Sequence, residues 1–221
     1  MLITTLPFMK SGINPASVVY TASYATNATG SPKTISSASI GTASPDRYIF
    51  VAVSLRTSGS QSDCSAVTVA GISCTQISAD VNSGNNHLSL WRTNSPVSSS
   101  TGADIVITYT NSQHIGIGIW AVTGLQSTTP TDADSTTTDA ASVTSTVSAG
   151  GIIVAAAYSV GLSAGTHTWT GVTEDFDSLS VGSSGSQSGG SLNSPGGGNI
   201  SVSADGTQTG SAFMMIAASF R

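Results

Sequence analysis

The amino-acid sequence predicts an all-β protein, an antiparallel β-sandwich of jelly-roll-like type with long Ser/Thr/Gly-rich loops. Three observations carry that expectation. Period-two alternation and β-branched runs recur along most of the chain, and no segment keeps a helical stripe. Two runs, YIFVAV and GIIVAAAY, are apolar at nearly every residue, as strands covered on both faces are. Turn-forming clusters punctuate the runs at Ser44-Pro45-Asp46, Ala70-Gly71, Asn82-Ser83-Gly84-Asn85, Asn111-Ser112 and Asp205-Gly206. At 221 residues the chain can bury one substantial core.

Taken from the start, residues 1–16 read as an apolar N-terminal arm. Leu2, Ile3, Leu6, Phe8 and Met9 supply its apolar side chains, and Pro7 limits its pairing to a sheet edge. Such an arm docks on its own domain as an edge strand, or serves as an assembly arm that adds to a neighbouring subunit. Residues 17–221 are expected to form a single β-sandwich domain. Its strands are placed at 17–26, 47–58, 66–71, 86–94, 103–110 and 114–122, then at 141–149, 151–160, 166–172, 199–204 and 210–220. In ADIVITYT, Ile105, Ile107 and Tyr109 fall on one face against Asp104, Val106 and Thr108, the pattern of a half-buried strand. Residues 27–39, 126–140 and 182–198 lack apolar content and read as loops, the last a Gly/Ser tract expected to be mobile unless a neighbour pins it, as in an assembly. The arrangement expected from these strands is two packed sheets.

Two cysteines flank the predicted turn at Ala70-Gly71. A two-residue turn there sets Cys74 opposite Val67, which argues against a Cys64–Cys74 disulfide.

Charged residues make up 8% of the chain and Ser plus Thr about a third, so solubility rests on hydroxyls and backbone. The six basic residues are scattered singly and the net charge is −5, which leaves no stripe for neutralising phosphates. Nucleic acid is therefore not an expected partner. No apolar run reaches the roughly 18 residues of a spanning helix, so no membrane insertion is expected. MLITTLPFMKSG lacks a basic start and a cleavage pattern, and the protein is expected to be made in a cytoplasm without Sec export.

No catalytic, cofactor-binding or metal-ligating residue is assigned from sequence. His87, His114 and His167 stand apart from other ligand-type residues and read as partly exposed strand positions. Despite the abundance of serine there is no Gly-x-Ser-x-Gly turn between a strand and a helix. The one dense acidic group is Glu174, Asp175 and Asp177, with Asp175 and Asp177 on one face of an extended chain. Glu174 is the sole glutamate, a thin stock for acid–base catalysis. Trp91 and Trp120 lie in strongly patterned strands and read as core. Trp169, in the polar THTWTGV beside the acidic group, is the candidate platform for stacking a sugar, so Trp169, Glu174, Asp175 and Asp177 form the candidate contact with a glycan or partner.

The ordered series RYIFVAVSLR, VTVAGISC, LSLWRT, ADIVITYT, IGIGIWAVTGL, GIIVAAAY and AASF resembles the jelly-roll virion proteins of tailed bacteriophages. These serve as capsid decoration or cement proteins, head fibres or tail-associated adhesion modules. The resemblance spans roughly residues 45–220 and lies in style and strand order, so it transfers no functional residue. It implies a non-enzymatic structural protein of a virion, assembled in the host cytoplasm, working as a homotrimer against a major capsid or tail protein. The other function it implies is adhesion, with a host surface glycan as the partner.

Overall fold

The computed structural model describes residues 14–28, 30–57, 59–161, 165–194, 196–206 and 212–221. Leu2, Ile3, Leu6, Phe8 and Met9 of the expected arm lie outside them. The chain is an all-β antiparallel sandwich of jelly-roll-like type, with no helix among the described residues.

Nine strands make the first sheet: β1 (Ser17–Asn27), β2 (Lys33–Ser39), β3 (Tyr48–Arg56), β4 (Asp63–Val69), β5 (Ile72–Gln76), β6 (Val81–Ser83), β7 (Asn86–Thr93), β8 (Gly102–Thr110) and β9 (His114–Thr123). Their order is β1-β9-β3-β7-β5-β4-β8-β2, with β6 also on β7, and the sheet rolls until it nearly closes. The roll follows from side-chain parity along β3. Ile49, Val51, Val53 and Leu55 point inward, where Val67, Val69, Ile105, Ile107, Ile117 and Ile119 meet them in one buried cluster. Phe50 and Ala52 point outward into a second core. Burying both faces explains why β3 shows no polar alternation. β8 does alternate, with Ile105, Ile107 and Tyr109 buried and Asp104 and Thr108 exposed.

The β4–β5 turn is the expected two-residue hairpin. Ala70 and Gly71 both adopt positive φ, 53° and 77°, and Val69 pairs with Ile72. That is the mirror-image turn whose twist matches the flanking strands. Cys64 accordingly pairs with Tyr109 on β8 and Cys74 with Thr93 on β7, and both thiols are free.

Charged side chains are built into the wall of the roll, Arg47 and, less deeply, Arg92 on β7. Arg47 is fully buried, and its guanidinium donates to the carbonyls of Val97 (2.7 and 3.0 Å), Gly41 (2.6 Å) and Ser100 (2.5 Å).

The remaining strands are β10 (Asp132–Thr136), β11 (Ser142–Val147), β12 (Gly151–Val160), β13 (His167–Thr170), β14 (Thr173–Val181), β15 (Gly185–Ser194), β16 (Gly198–Gly206) and β17 (Ala212–Phe220). They form two sheets, β10-β17-β12-β15-β14 and β11-β16-β13. Three sheets thus stack where two were expected. Ile152, Val154, Ala156 and Tyr158 of β12 face the roll and pack with Phe50, Leu88, Leu90 and Trp120, while Ile153, Ala155 and Ala157 face β11 and β16 across Val143, Val202 and Ala204. The middle sheet is covered on both sides.

The loops expected at 27–39 and 126–140 hold strands β2 and β10. The larger correction concerns 182–198. Residues 185–194 are a strand, paired to β12 along its whole length and to β14 on the other side. Its Gly and Ser residues are small because neighbours occupy the space a side chain would take. A Cβ on Gly189 would lie 2.5 Å from Phe176 Cε1 and 2.6 Å from Trp120 Cζ2. Ser186, Gln187, Ser188 and Ser191 are buried here.

Candidate functional site

Strand β14 carries the acidic group singled out from sequence, and the structure divides it. The β14–β15 ladder runs Glu174↔Gly190 and then Phe176↔Gly189, so Asp175 is the extra residue of a β-bulge. A bulge re-aims the side chains around it and breaks period-two parity. Asp175 therefore points toward the roll, where Trp120 Nε1–H donates to its Oδ2 at 2.7 Å. Asp177 points the other way, toward β13, accepting from the His167 backbone N–H at 3.0 Å. The shared face expected for Asp175 and Asp177 is thus not formed. Burial pushes the Asp175 carboxyl above the usual carboxylate range, against the bonds from Trp120 and Ser191. Glu174 is exposed, and its carboxyl is also raised, by partial desolvation and the charge of Asp177.

Trp169 is half-buried on β13, packed against the core between the second and third sheets, with Nε1–H donating to Ser188 Oγ at 3.2 Å. An open groove of about 530 Å³ lies along Val18–Tyr20, Thr173, Asp175 and Ser191–Asn193. It includes Asp175 but not Trp169, Glu174 or Asp177. Trp91 and Trp120 are buried, as expected from their strands. His87 and His167 are buried too, where partly exposed positions were expected.

The residues sequence reasoning missed lie around β4, β6 and β7 of the roll. Asp63, at the start of β4, Asp80, just before β6, and His87 on β7 bring one ligand-type atom each to within 4.8 Å of one another. The three are exposed, half-buried and buried in that order. His87 Nε2 stands 3.5 Å from Asp80 Oδ1 and 2.9 Å from Ser89 Oγ, and Nδ1 stands 3.3 Å from Asn82 Oδ1. Gln76 Nε2 donates to Asp80 Oδ1, and Trp91 Nε1–H donates to Ser89 Oγ at 2.8 Å. Burial pushes the His87 imidazole down to about 4, so near neutral pH its approach to Asp80 is not an ion pair. Burial, with the facing Asp63 carboxyl, pushes Asp80 up to about 6. An open polar cleft of about 550 Å³, lined by Asp80, Val81, Asn82 and Ser135–Thr137, reaches the cluster from solvent. No spacing in the sequence signals this convergence, because each residue comes from a separate strand or junction.

A third feature is the outer face of β11-β16-β13. Val143, Val147, Val202 and Ala204 point inward, and Ser142, Thr144, Thr146, Ser201, Thr168 and Thr170 point out and are exposed. The ladder aligns Thr144 with Ser201 and Thr146 with Asn199, giving rows of hydroxyl and amide groups. These strands contain no Lys or Arg, and Asp205 is the charged residue exposed on them.

In comparisons with known proteins, the chain matches no family model, no curated protein and no solved structure.

Proposed function

We propose that the protein is a non-enzymatic structural module acting through broad polar contacts in a larger assembly, a virion of the tailed-bacteriophage kind. The observation that carries this reading is the outer face of β11-β16-β13. Its exposed hydroxyls stand in register on a rigid sheet, with almost no charge. Hydroxyls on strands lose little rotamer freedom on contact, and an uncharged face avoids the desolvation cost of burying ions. In this reading the face meets a capsid or tail protein and the chain assembles as a homotrimer. A monomer by light scattering at micromolar concentration refutes the trimer.

Quantitative mass spectrometry of purified particles from the source of the chain tests the reading. Copies in fixed stoichiometry to the major capsid protein are expected, and complete absence overturns it. Thr144→Lys combined with Thr168→Lys, two exposed positions, is expected to leave folding intact and to abolish incorporation. Unchanged incorporation moves the contact off this face.

A further inference from the structure

β5 and β6 lie in succession along one edge of β7, through Gln76↔Trp91 and Val81↔Leu88, and residues 78–80 leave that line between them. β4 pairs with β5 only at Thr68↔Ser73 and Val69↔Ile72. The sheet is therefore open between the start of β4 and the β5–β6 junction. At its rim Ser62 N–H donates to the Asn85 carbonyl at 3.0 Å, and beside that bond the side chains of Asp63, Asp80 and His87 converge.

We propose that Asp63, Asp80 and His87 bind one divalent transition-metal ion of the zinc or manganese class, which ties the start of β4 to the edge formed by β6 and β7. The argument rests on how the donors are aimed. His87 Nδ1 stands 3.3 Å from Asn82 Oδ1, and in the tautomer protonated at Nδ1 that contact is a hydrogen bond and Nε2, beside Ser89 Oγ and Asp80 Oδ1, is free to act as a ligand. Nε2 and Asp80 Oδ1 are then two acceptors 3.5 Å apart. Without a metal the Ser89 hydroxyl can donate to Nε2 and Gln76 donates to Asp80; a cation between Nε2 and Asp80 would replace the first of these bonds and keep the second. Donors held about 2.1 Å from a tetrahedral ion stand about 3.4 Å from each other, so the pair has the spacing of two adjacent ligands. Gln76 fixes the same carboxylate from outside, as hydrogen-bonded partners orient metal ligands elsewhere. Asp63 is exposed and supplies the third donor from the opposite strand.

The donor set selects the metal. Imidazole nitrogen with two carboxylates suits Zn²⁺ or Mn²⁺, whereas Ca²⁺ and Mg²⁺ favour oxygen ligands throughout. Ions enter through the cleft that Asp80 and Asn82 line. On binding, the Ser89 hydroxyl, 2.9 Å from Nε2, turns its proton away and remains an acceptor for Trp91 Nε1–H. The rival arrangement is a metal-free polar plug in which the two carboxyls share a proton.

Isothermal titration of the full chain, stripped with chelator and given Zn²⁺, Mn²⁺ or Ca²⁺ separately, decides between them. One equivalent of Zn²⁺ or Mn²⁺ is expected, with Ca²⁺ weaker. Asp63→Asn and Asp80→Asn should each weaken binding by at least about tenfold while circular dichroism stays that of the parent. Asp134→Asn, at an exposed position on β10, should bind as the parent does. Absence of Zn²⁺ and Mn²⁺ binding up to about 100 µM overturns the proposal. So does binding that persists in both Asp63→Asn and Asp80→Asn, or a preference for Ca²⁺.

Discussion

Replacing Gly189 by Ala is the sharpest test of the reading that the Gly/Ser tract is an interior strand. Two effects oppose each other. Gly189 does not have a positive φ, so alanine fits its backbone, and removing a glycine from the unfolded chain stabilises by about 0.4–1 kcal/mol. Against this, the new Cβ would sit 2.5 Å from Phe176 Cε1 and 2.6 Å from Trp120 Cζ2. Both are atoms of rigid rings, and Trp120 is held by its bond to Asp175. Overpacking of this kind costs about 1–3 kcal/mol, so steric strain wins by about 1–2 kcal/mol. For a domain of this size that lowers Tm by about 2–8 °C. Gly196→Ala is the control, since no atom lies within 4 Å of its Cβ position and its φ is not positive. It should match or exceed the parent in stability. Urea unfolding of both variants, with Phe176→Leu added to Gly189→Ala to relieve the contact, completes the test. Equal stabilities for Gly189→Ala and Gly196→Ala would refute the reasoning, and the tract would then be a loop.

Three further outcomes are expected. Arg47→Met should destabilise by about 2–4 kcal/mol in urea, because it strands the buried carbonyl of Val97 and removes the bonds to the part-buried carbonyls of Gly41 and Ser100; a loss under about 1 kcal/mol would show that water replaces the guanidinium. Trp120→Phe removes the indole donor to Asp175 and should cost about 2 kcal/mol. It should also raise the Asp175 pKa further. A carboxyl with a raised folded pKa loses stability as pH rises through that value, so the Trp120→Phe deficit should be larger at pH 8 than at pH 4; an equal deficit counts against the bond. Burial holds the pKa of His167 below its ordinary value, despite Asp177 nearby. A base depressed in this way contributes stability above its unfolded pKa near 6.5 and loses it as pH falls through the folded value. His167→Phe should therefore lose less stability than the parent between pH 7 and pH 5, as urea midpoints will show, and parallel losses would refute it.

The parts of the fold legible in sequence are those where side chains report their own surroundings. The apolar runs of β3 and β12 mark strands buried on both faces, and both are central in their sheets. Ala70-Gly71 fixes a turn through backbone preference, and Trp91 and Trp120 lie in the core. β15 was illegible because missing side chains look alike in a loop and in a strand crowded by others. Which one applies depends on Trp120 and Phe176, which reach Gly189 from other strands. The acidic group failed for a different reason. Counting by twos put Asp175 and Asp177 together, and one bulged residue undid the count. Asp63, Asp80 and His87 meet only because β5 stops at Gln76 and residues 78–80 turn aside. Sequence distance carries no trace of that meeting.

The position of β17 bears on how the molecule comes off the ribosome. The nine strands of the roll are all made by Thr123, and their pairings need nothing that follows. The middle sheet is different, because β17 lies between β10 and β12 although it follows every other described strand in the chain. Until it emerges, β10 has no partner in that sheet, and the part of the roll's outer surface that β17 covers, where Phe50 packs edge-on against Phe220 at 5.0 Å, is left open beside β12. The nascent chain therefore passes through an interval in which a finished half presents a greasy flank, the kind of surface that chaperones hold and that crowded polysomes aggregate.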